Sequence, residues 1–134
     1  MKFNKWYVTL ALLVVLAGKI SLTPRVIAVT NPQESVIQSS TSTVKQYVET
    51  QAKLLGVNVN LAICIVTHES QLNPKTLGDD GNSRGLWQIS KIYHPEVTDA
   101  VAFSEVSSTA WSLNWIKSGH IAQWSTYKEY CNGI

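Results

Sequence analysis

A chain of 134 residues has room for one small domain and is too short for two. Hydrophobic residues make up 45% of it and charged residues 15%, which is within the range of a globular protein with a core. The formal net charge of +2 is weak and no segment interleaves basic with aromatic residues, so we expect no nucleic-acid partner.

The N-terminal segment has the pattern of an export signal. Lys2 and Lys5 precede an apolar run from Trp6 to Gly18, which has the length of a signal-peptide core and is shorter than the roughly 20 residues of a membrane span. A Val-Ile-Ala sequence ending at Ala28 is a candidate cleavage site. We predict that residues 1–28 are a signal peptide or an N-terminal membrane anchor. The protein would then be secreted, or lie on the periplasmic or cell-wall side, with membrane association if the segment is an anchor.

The next segment is polar and leads into the domain. Residues 29–42 are rich in Ser and Thr and show no apolar period, so we predict a flexible linker there. The folded domain is predicted over residues 43–134. Ser42 or Thr43 can cap its first helix, in which apolar residues recur at helical spacing, and Gly56 is well placed to end that helix.

Two further helices and an intervening loop follow. Asn58 or Asn60 can cap a second helix, which is apolar on almost all sides and therefore predicted to be buried. This helix is predicted to run to Glu69 and Ser70 and to be stopped by Asn73-Pro74. A loop dense in turn-forming residues covers 78–85. A third helix is predicted over residues 105–118. The pattern indicates a mainly α single domain with a short loop or small β region after the second helix.

Cys64 and Cys131 are the only cysteines of the chain. In an exported protein two cysteines most simply form one disulfide. The alternative is that Cys64, which lies in an apolar run, is a small core residue and that Cys131 is incidental. No second cysteine or histidine accompanies them at metal-ligand spacing, so we expect neither a metal site nor another cofactor.

Glu69 is the residue that points most directly to chemistry. A carboxyl group at the end of an apolar helix is expected to be partly desolvated, which raises its pKa. A general acid that works near neutral pH needs such a raised pKa. The alternative is an ordinary glutamate at a helix end, with its carboxylate in water.

The residues after Glu69 form a recognisable succession. They are Glu69-Ser70, Asn73-Pro74, a glycine-rich loop, Gly85-Leu86-Trp87-Gln88-Ile89 and His94-Pro95. The succession resembles the catalytic core of soluble lytic transglycosylases (SLT) and goose-type lysozymes, and the resemblance covers roughly Val44 to Tyr127. It implies a lysozyme-like fold and cleavage of the glycan strands of peptidoglycan.

The resemblance also implies roles for individual residues. Glu69 would be the catalytic acid/base, which protonates the oxygen between N-acetylmuramic acid and N-acetylglucosamine. Gly85 would permit a close backbone approach, Gln88 would offer its amide to the sugars, and the aromatic residues would stack on them. The structural alternatives are that Ser70 caps the helix end and that Trp87 packs in the core. The substrate-binding residues expected in this way are Ser70, Gly85, Trp87, Gln88, Tyr93 and Tyr127.

Asp79 and Asp80 bear on the type of product. Many glycosidases use a second carboxylate, whereas lytic transglycosylases use the acetamido group of the substrate. A pair of Asp residues before Gly is also typical of a turn, so a catalytic role for Asp79 or Asp80 is the less favoured interpretation. We therefore expect a lytic transglycosylase that leaves a 1,6-anhydromuramyl product. The alternatives are a true lysozyme that uses Asp79 or Asp80, and a cell-wall-binding module without catalysis. We expect the protein to act as a monomer.

Overall fold

The computed structural model describes residues 32–134, with side chains from Ser40 onward. The predicted signal peptide or anchor, residues 1–28, lies outside the described residues. Within residues 32–134 no helix is both long and apolar enough to cross a membrane.

The first helix, α1, spans Pro32–Leu55 and begins earlier than the sequence predicted. The prediction that Ser42 or Thr43 caps the first helix is therefore wrong. Residues 32–42, which were predicted to belong to a flexible linker, are helical. Proline is favoured in the first turn of a helix, and no glycine or further proline interrupts the polar residues after Pro32. The predicted domain boundary at residues 42 and 43 stays a prediction.

The second half of α1 packs against the rest of the domain. Val44, Val48 and Ala52 recur every four residues, and all three are buried. This spacing places them on one face of the helix, which contacts two other helices of the domain. Gly56 has a φ of +71° and ends α1 as predicted.

The second helix, α2, spans Val59–Ser70. The backbone N–H of Leu61 donates to the side-chain oxygen of Asn58, which confirms one of the two predicted caps. The helix ends at Ser70 as predicted, and the left-handed backbone angles of Gln71 and Leu72, φ 53° and 64°, end it before Asn73-Pro74 is reached. The buried side chains of α2 are Ala62, Ile65, Val66 and Ser70.

A small antiparallel sheet follows α2 and confirms the predicted small β region. Its strands β1 (Leu77–Gly78), β2 (Ser83–Arg84) and β3 (Ile89–Ser90) pair in chain order. A 3₁₀ turn at Asp79–Gly81 joins β1 to β2. Among the described residues, those other than glycine with positive φ all lie within 71–88, and they are Gln71, Leu72, Asp79, Asp80 and Gln88.

Two helices complete the regular structure. A short helix, α3, covers Asp99–Ala102, and α4 covers Glu105–Lys117, close to the predicted third helix. The side chain of Ser104 accepts a hydrogen bond from the backbone of Ser107, which caps α4. The chain then continues through short turns that pack back on α2 and α4.

The tail after α4 is fixed to the core at two points, Trp124 and Cys131. It contains a 3₁₀ turn at Ile121–Gln123 and a π-helical turn at Tyr127–Cys131. The indole of Trp124 donates to the backbone oxygen of Trp87 at 2.8 Å. A disulfide joins Cys131 to Cys64 of α2, which confirms the predicted pairing. The tail is therefore held beside the middle of α2.

Candidate active site

A cleft of about 600 Å³ lies where the end of α2, the small sheet, α4 and the tail meet. This volume is within the range of sites that bind small ligands. Glu69 is the residue that α2 contributes, and Trp111 is the contribution of α4. The other lining residues come from the sheet region and the tail: Asp79, Ser83, Gln88, Ile89, Ser90, Tyr93, His94, Gln123, Trp124 and Ser125.

Glu69 is partly buried at the end of α2 and has one close hydrogen-bond donor. The hydroxyl of Thr126 donates to Oε1 of Glu69 at 2.6 Å. Burial raises the pKa of Glu69, and the negative charges of Asp79 and Glu129 act in the same direction. The Thr126 hydrogen bond and the neighbouring His68 act in the opposite direction and are outweighed. The result is a carboxyl group that holds its proton to higher pH than an ordinary glutamate.

Of the two candidate second carboxylates, the structure brings only Asp79 to the cleft of Glu69. The hydroxyl of Ser83 donates a short hydrogen bond to Oδ2 of Asp79, and both residues line the cleft. Asp80 has left-handed backbone angles, is exposed and is not part of the lining. Asp79 therefore takes part both in the turn and in the cleft. In residues 32–134 no cluster of three or more His, Cys, Asp or Glu side chains could hold a metal ion.

Two of the expected substrate-binding residues, Gln88 and Tyr93, line the cleft. Tyr93 is 80% exposed, so its ring is free to contact a ligand. The amide nitrogen of Gln88 donates to the backbone oxygens of Thr76 and Gly85 at 3.1 and 2.8 Å. Because its N–H groups are used internally, Gln88 holds the cleft wall together, and only its amide oxygen remains as an acceptor.

Ser70 and Gly85 do not line the cleft. The Ser70 hydroxyl is buried and donates to the backbone oxygen of Leu86 at 2.8 Å, which ties α2 to the turn before β3. A Cβ atom on Gly85 would overlap the carbonyl oxygen of Ala102 and lie 2.8 Å from its carbon. The close approach at Gly85 is therefore made by α3. These contacts favour structural roles for both residues.

Trp87 and Tyr127 are also absent from the cleft lining. Trp87 is fully buried, and its indole donates to the hydroxyl of Thr109 at 3.1 Å. This contact agrees with the alternative that Trp87 packs in the core. Tyr127 is half-buried in the π-helical turn, and its neighbour Thr126 makes the contact with Glu69.

Aromatic rings form part of the cleft wall, where Trp111 and His94 line the cleft and Trp115 stacks on Trp111. Trp111 and Trp115, one turn apart on α4, stack with their ring centroids 5.3 Å apart, and the His94 ring lies 4.7 Å from Trp111. The side-chain oxygen of Gln123 lies 3.0 Å from Nε2 of His94 and accepts from the indole of Trp115 at 2.9 Å. The spacing of the two tryptophans is visible in the sequence. The positions of His94 and Gln123 beside them depend on the fold.

Residues 46–126 match the family model of a lysozyme-like domain. The match covers more than half of the chain and includes α2, the small sheet and α4. The chain belongs to the lysozyme-like domain family. This membership confirms the resemblance to the lysozyme-like and SLT proteins, together with the predicted fold, and it supports a glycosidase-type enzyme. Neither a curated protein nor a solved structure matches the chain.

Proposed function

We propose that this lysozyme-like protein cleaves the β-1,4 bond between N-acetylmuramic acid and N-acetylglucosamine in peptidoglycan, with Glu69 as acid and base. One observation carries the proposal: a partly buried carboxyl group with a raised pKa opens onto a cleft walled by aromatic and amide side chains. Aromatic faces and amides suit the faces and acetamido groups of amino sugars. The family membership supports the same reaction class.

The proposed reaction has two proton transfers through Glu69. In the first, the protonated carboxyl group gives its proton to the glycosidic oxygen as the bond to the muramyl carbon breaks. Glu69 becomes a carboxylate, and the hydroxyl of Thr126 is in place to donate to it. In the second, the carboxylate takes a proton from the nucleophile that attacks the muramyl carbon, which restores the acid.

We propose the 6-hydroxyl of the muramyl sugar as this nucleophile, so that the product is a 1,6-anhydro sugar. The hydroxyl belongs to the bound substrate and has an entropic advantage over free water. The position of Asp79 in the cleft favours a second candidate, a true lysozyme in which this carboxylate activates a water molecule. Asp80 lies outside the cleft lining, which favours Asp79 over Asp80 as this carboxylate.

Glu69→Gln tests the proposed acid. The substitution preserves size, so the fold should persist, while release of muropeptides from purified cell walls should fall by roughly 10²–10⁴-fold. Glu105→Gln is the matched control, because it removes an equal carboxylate at the start of α4, away from the cleft lining. Near-parental activity of Glu69→Gln would contradict the assignment. Wall binding without any released fragment by the parent would indicate the non-catalytic module.

Mass spectrometry of the released fragments separates the two products, which differ by one water. We expect anhydro ends from the parent and from both Asp79→Asn and Asp80→Asn, the second being a control from the same turn. Reducing ends that disappear in Asp79→Asn and persist in Asp80→Asn would establish the lysozyme mechanism instead.

Export through residues 1–28 and a monomeric state stay parts of the proposal. Peptidoglycan lies outside the cytoplasm, so the proposed reaction requires export. Intact mass measurement on protein recovered from outside the cytoplasm decides between a cleaved signal peptide, with an N-terminus near Val29, and a retained anchor.

A further inference from the structure

The tail clasp, defined here as residues 124–131, contacts residues 64–69 of α2 at three points. The hydroxyl of Thr126 donates to Glu69, and Cys131 forms the disulfide with Cys64. The third contact is a ring stack of Tyr130 on His68, with centroids 4.3 Å apart and planes 4° from parallel. All three partners on α2 lie within residues 64–69, so the clasp contacts α2 both at Glu69, the proposed acid, and in the residues directly before it.

We propose that Thr126 is a positioning residue for Glu69 and that the Cys64–Cys131 disulfide supports the reaction by holding Thr126 in place. The proposal rests on the proposed function of Glu69. It assigns a role in the reaction to a disulfide whose two cysteines do not line the cleft, and to a hydroxyl that the sequence pattern did not single out.

The hydroxyl of Thr126 suits a carboxyl group that becomes charged during the reaction. A separation of 2.6 Å is typical of a hydroxyl that donates to a carboxylate. As Glu69 transfers its proton to the leaving oxygen, negative charge grows on its oxygens, and a donor that is already in place stabilises the transition state more than the ground state. The β-branched threonine side chain has few rotamers, so the hydroxyl is well oriented if the backbone is fixed.

The backbone of the clasp has little internal structure that could fix it. The 3₁₀ turn before it and the π-helical turn within it are short, and isolated helical turns of this length are not stable by themselves. Thr126 lies between two anchors, the hydrogen bond from Trp124 to the backbone of Trp87 and the disulfide at Cys131. Loss of the second anchor leaves only the stack of Tyr130 on His68 to hold the clasp on the C-terminal side of Thr126.

Several groups around Glu69 set its pKa, and the hydroxyl of Thr126 is one of them. Burial is the largest cause of the raised pKa of Glu69. Asp79 from the turn between β1 and β2, and Glu129 from the clasp, also raise it, whereas His68 from α2 lowers it. The Thr126 hydrogen bond also lowers it, by stabilising the carboxylate. Removal of the hydroxyl alone should therefore move the pKa of Glu69 further upward.

Thr126→Val and Thr126→Ser test the hydroxyl directly. The pKa of Glu69 is read by ¹³C NMR titration of the side-chain carboxyl groups, with the Glu69 signal assigned by its loss in Glu69→Gln. We expect a higher pKa in Thr126→Val and the parental value in Thr126→Ser. We also expect kcat to fall about 10–100-fold in Thr126→Val with little change in KM, and the alkaline limb of kcat/KM to move to higher pH.

The outcomes separate this proposal from the proposed function. An unchanged pKa and pH profile in Thr126→Val, with only a lower Tm, would mean that Thr126 is merely structural and would overturn the inference. The titration needs no substrate, so it tests the contact even if the reaction is not the one proposed. Full activity of Glu69→Gln would instead overturn the proposed function.

A double-mutant cycle tests the disulfide. Thr126→Val is measured in the parental background and in Cys64→Ala/Cys131→Ala, after circular dichroism has shown that the latter is folded. If the disulfide acts through Thr126, the effect of Thr126→Val on kcat should shrink from about 10–100-fold to less than about 3-fold without it. An equal effect in both backgrounds would overturn this part of the proposal.

A second route applies if the double alanine variant does not fold. The same comparison is then made at low temperature on the parent and on Thr126→Val after reduction with dithiothreitol. The reagent becomes a cyclic disulfide and Cys64 and Cys131 become thiols, so the protein keeps all its atoms and gains two hydrogens. The expected and contradicting results are those of the cycle.

Discussion

Gly85→Ala should destabilise the domain through contacts that can be read from the structure. Gly85 has a φ of +72°, and an added Cβ would overlap the carbonyl oxygen of Ala102, at 2.8 Å from the carbonyl carbon and 3.3 Å from the oxygen of Pro74. A left-handed backbone costs an L-residue about 1–2 kcal/mol. Displacement of the packed backbone of α3 adds about 1–3 kcal/mol or more.

Gly56→Ala is a matched control for the strain alone. Gly56 has nearly the same φ, +71°, and no atom lies within 4 Å of the Cβ position. Urea unfolding should therefore show a loss of about 1–2 kcal/mol in Gly56→Ala and about 2–5 kcal/mol in Gly85→Ala. Since natural domains are stable by only about 5–15 kcal/mol, the second loss is large.

The difference between the two variants isolates the contact with α3. If the two losses agree within about 0.5 kcal/mol, the close approach of Gly85 to Ala102 is not rigid and the reasoning is refuted. If Gly85→Ala remains as stable as Gly56→Ala and loses activity selectively, the substrate-binding role that the resemblance implied for Gly85 is restored.

Two further predictions concern the stability of the domain. Because burial raises the pKa of Glu69 in the folded protein, the stabilisation linked to its proton is present below the unfolded pKa and is lost as the pH rises through the folded pKa. Glu69→Gln should therefore have a larger free energy of unfolding than the parent at neutral pH and approach it in acid, as urea unfolding at a series of pH values will show. Trp87→Phe should lose about 2–3 kcal/mol in the same assay, because the buried hydroxyl of Thr109 loses its donor. Addition of Thr109→Val should recover part of that loss. No recovery would contradict the explanation that the unpaired Thr109 hydroxyl destabilises Trp87→Phe.

The sequence predicted those helix ends that local residues decide. Asn58 caps α2 through its own side chain, and Gly56 takes the backbone angle that few other residues tolerate. The end of α2 at Ser70 agrees with the prediction, but the left-handed angles of Gln71 and Leu72 that end the helix were not predicted. Such angles are unfavourable for these residues and persist only where surrounding packing enforces them, which the local sequence does not reveal.

In the candidate site too, the sequence predicted what neighbouring residues decide and missed what long-range contacts decide. Glu69 was found because apolar neighbours in the sequence predict its desolvation, and its pKa is raised for that reason. Thr126 was missed because its partner lies 57 residues away and only the fold brings the two together. Trp87 was given two interpretations because an aromatic residue in a motif suits a core as well as a sugar face. Burial favours the core.

The residues with left-handed backbone angles between positions 71 and 88 indicate where greater heat tolerance could evolve without loss of activity. Gln71 is exposed, lies outside the cleft lining and occupies the helix-end position where glycine is most common. A glycine there would relieve backbone strain and leave the cleft wall intact. Gln88 has similar backbone strain, but its side chain braces the backbone oxygens of Thr76 and Gly85. A glycine at position 71 would therefore raise heat tolerance without a change in the cleft, whereas a glycine at position 88 would remove the side chain that braces the cleft wall.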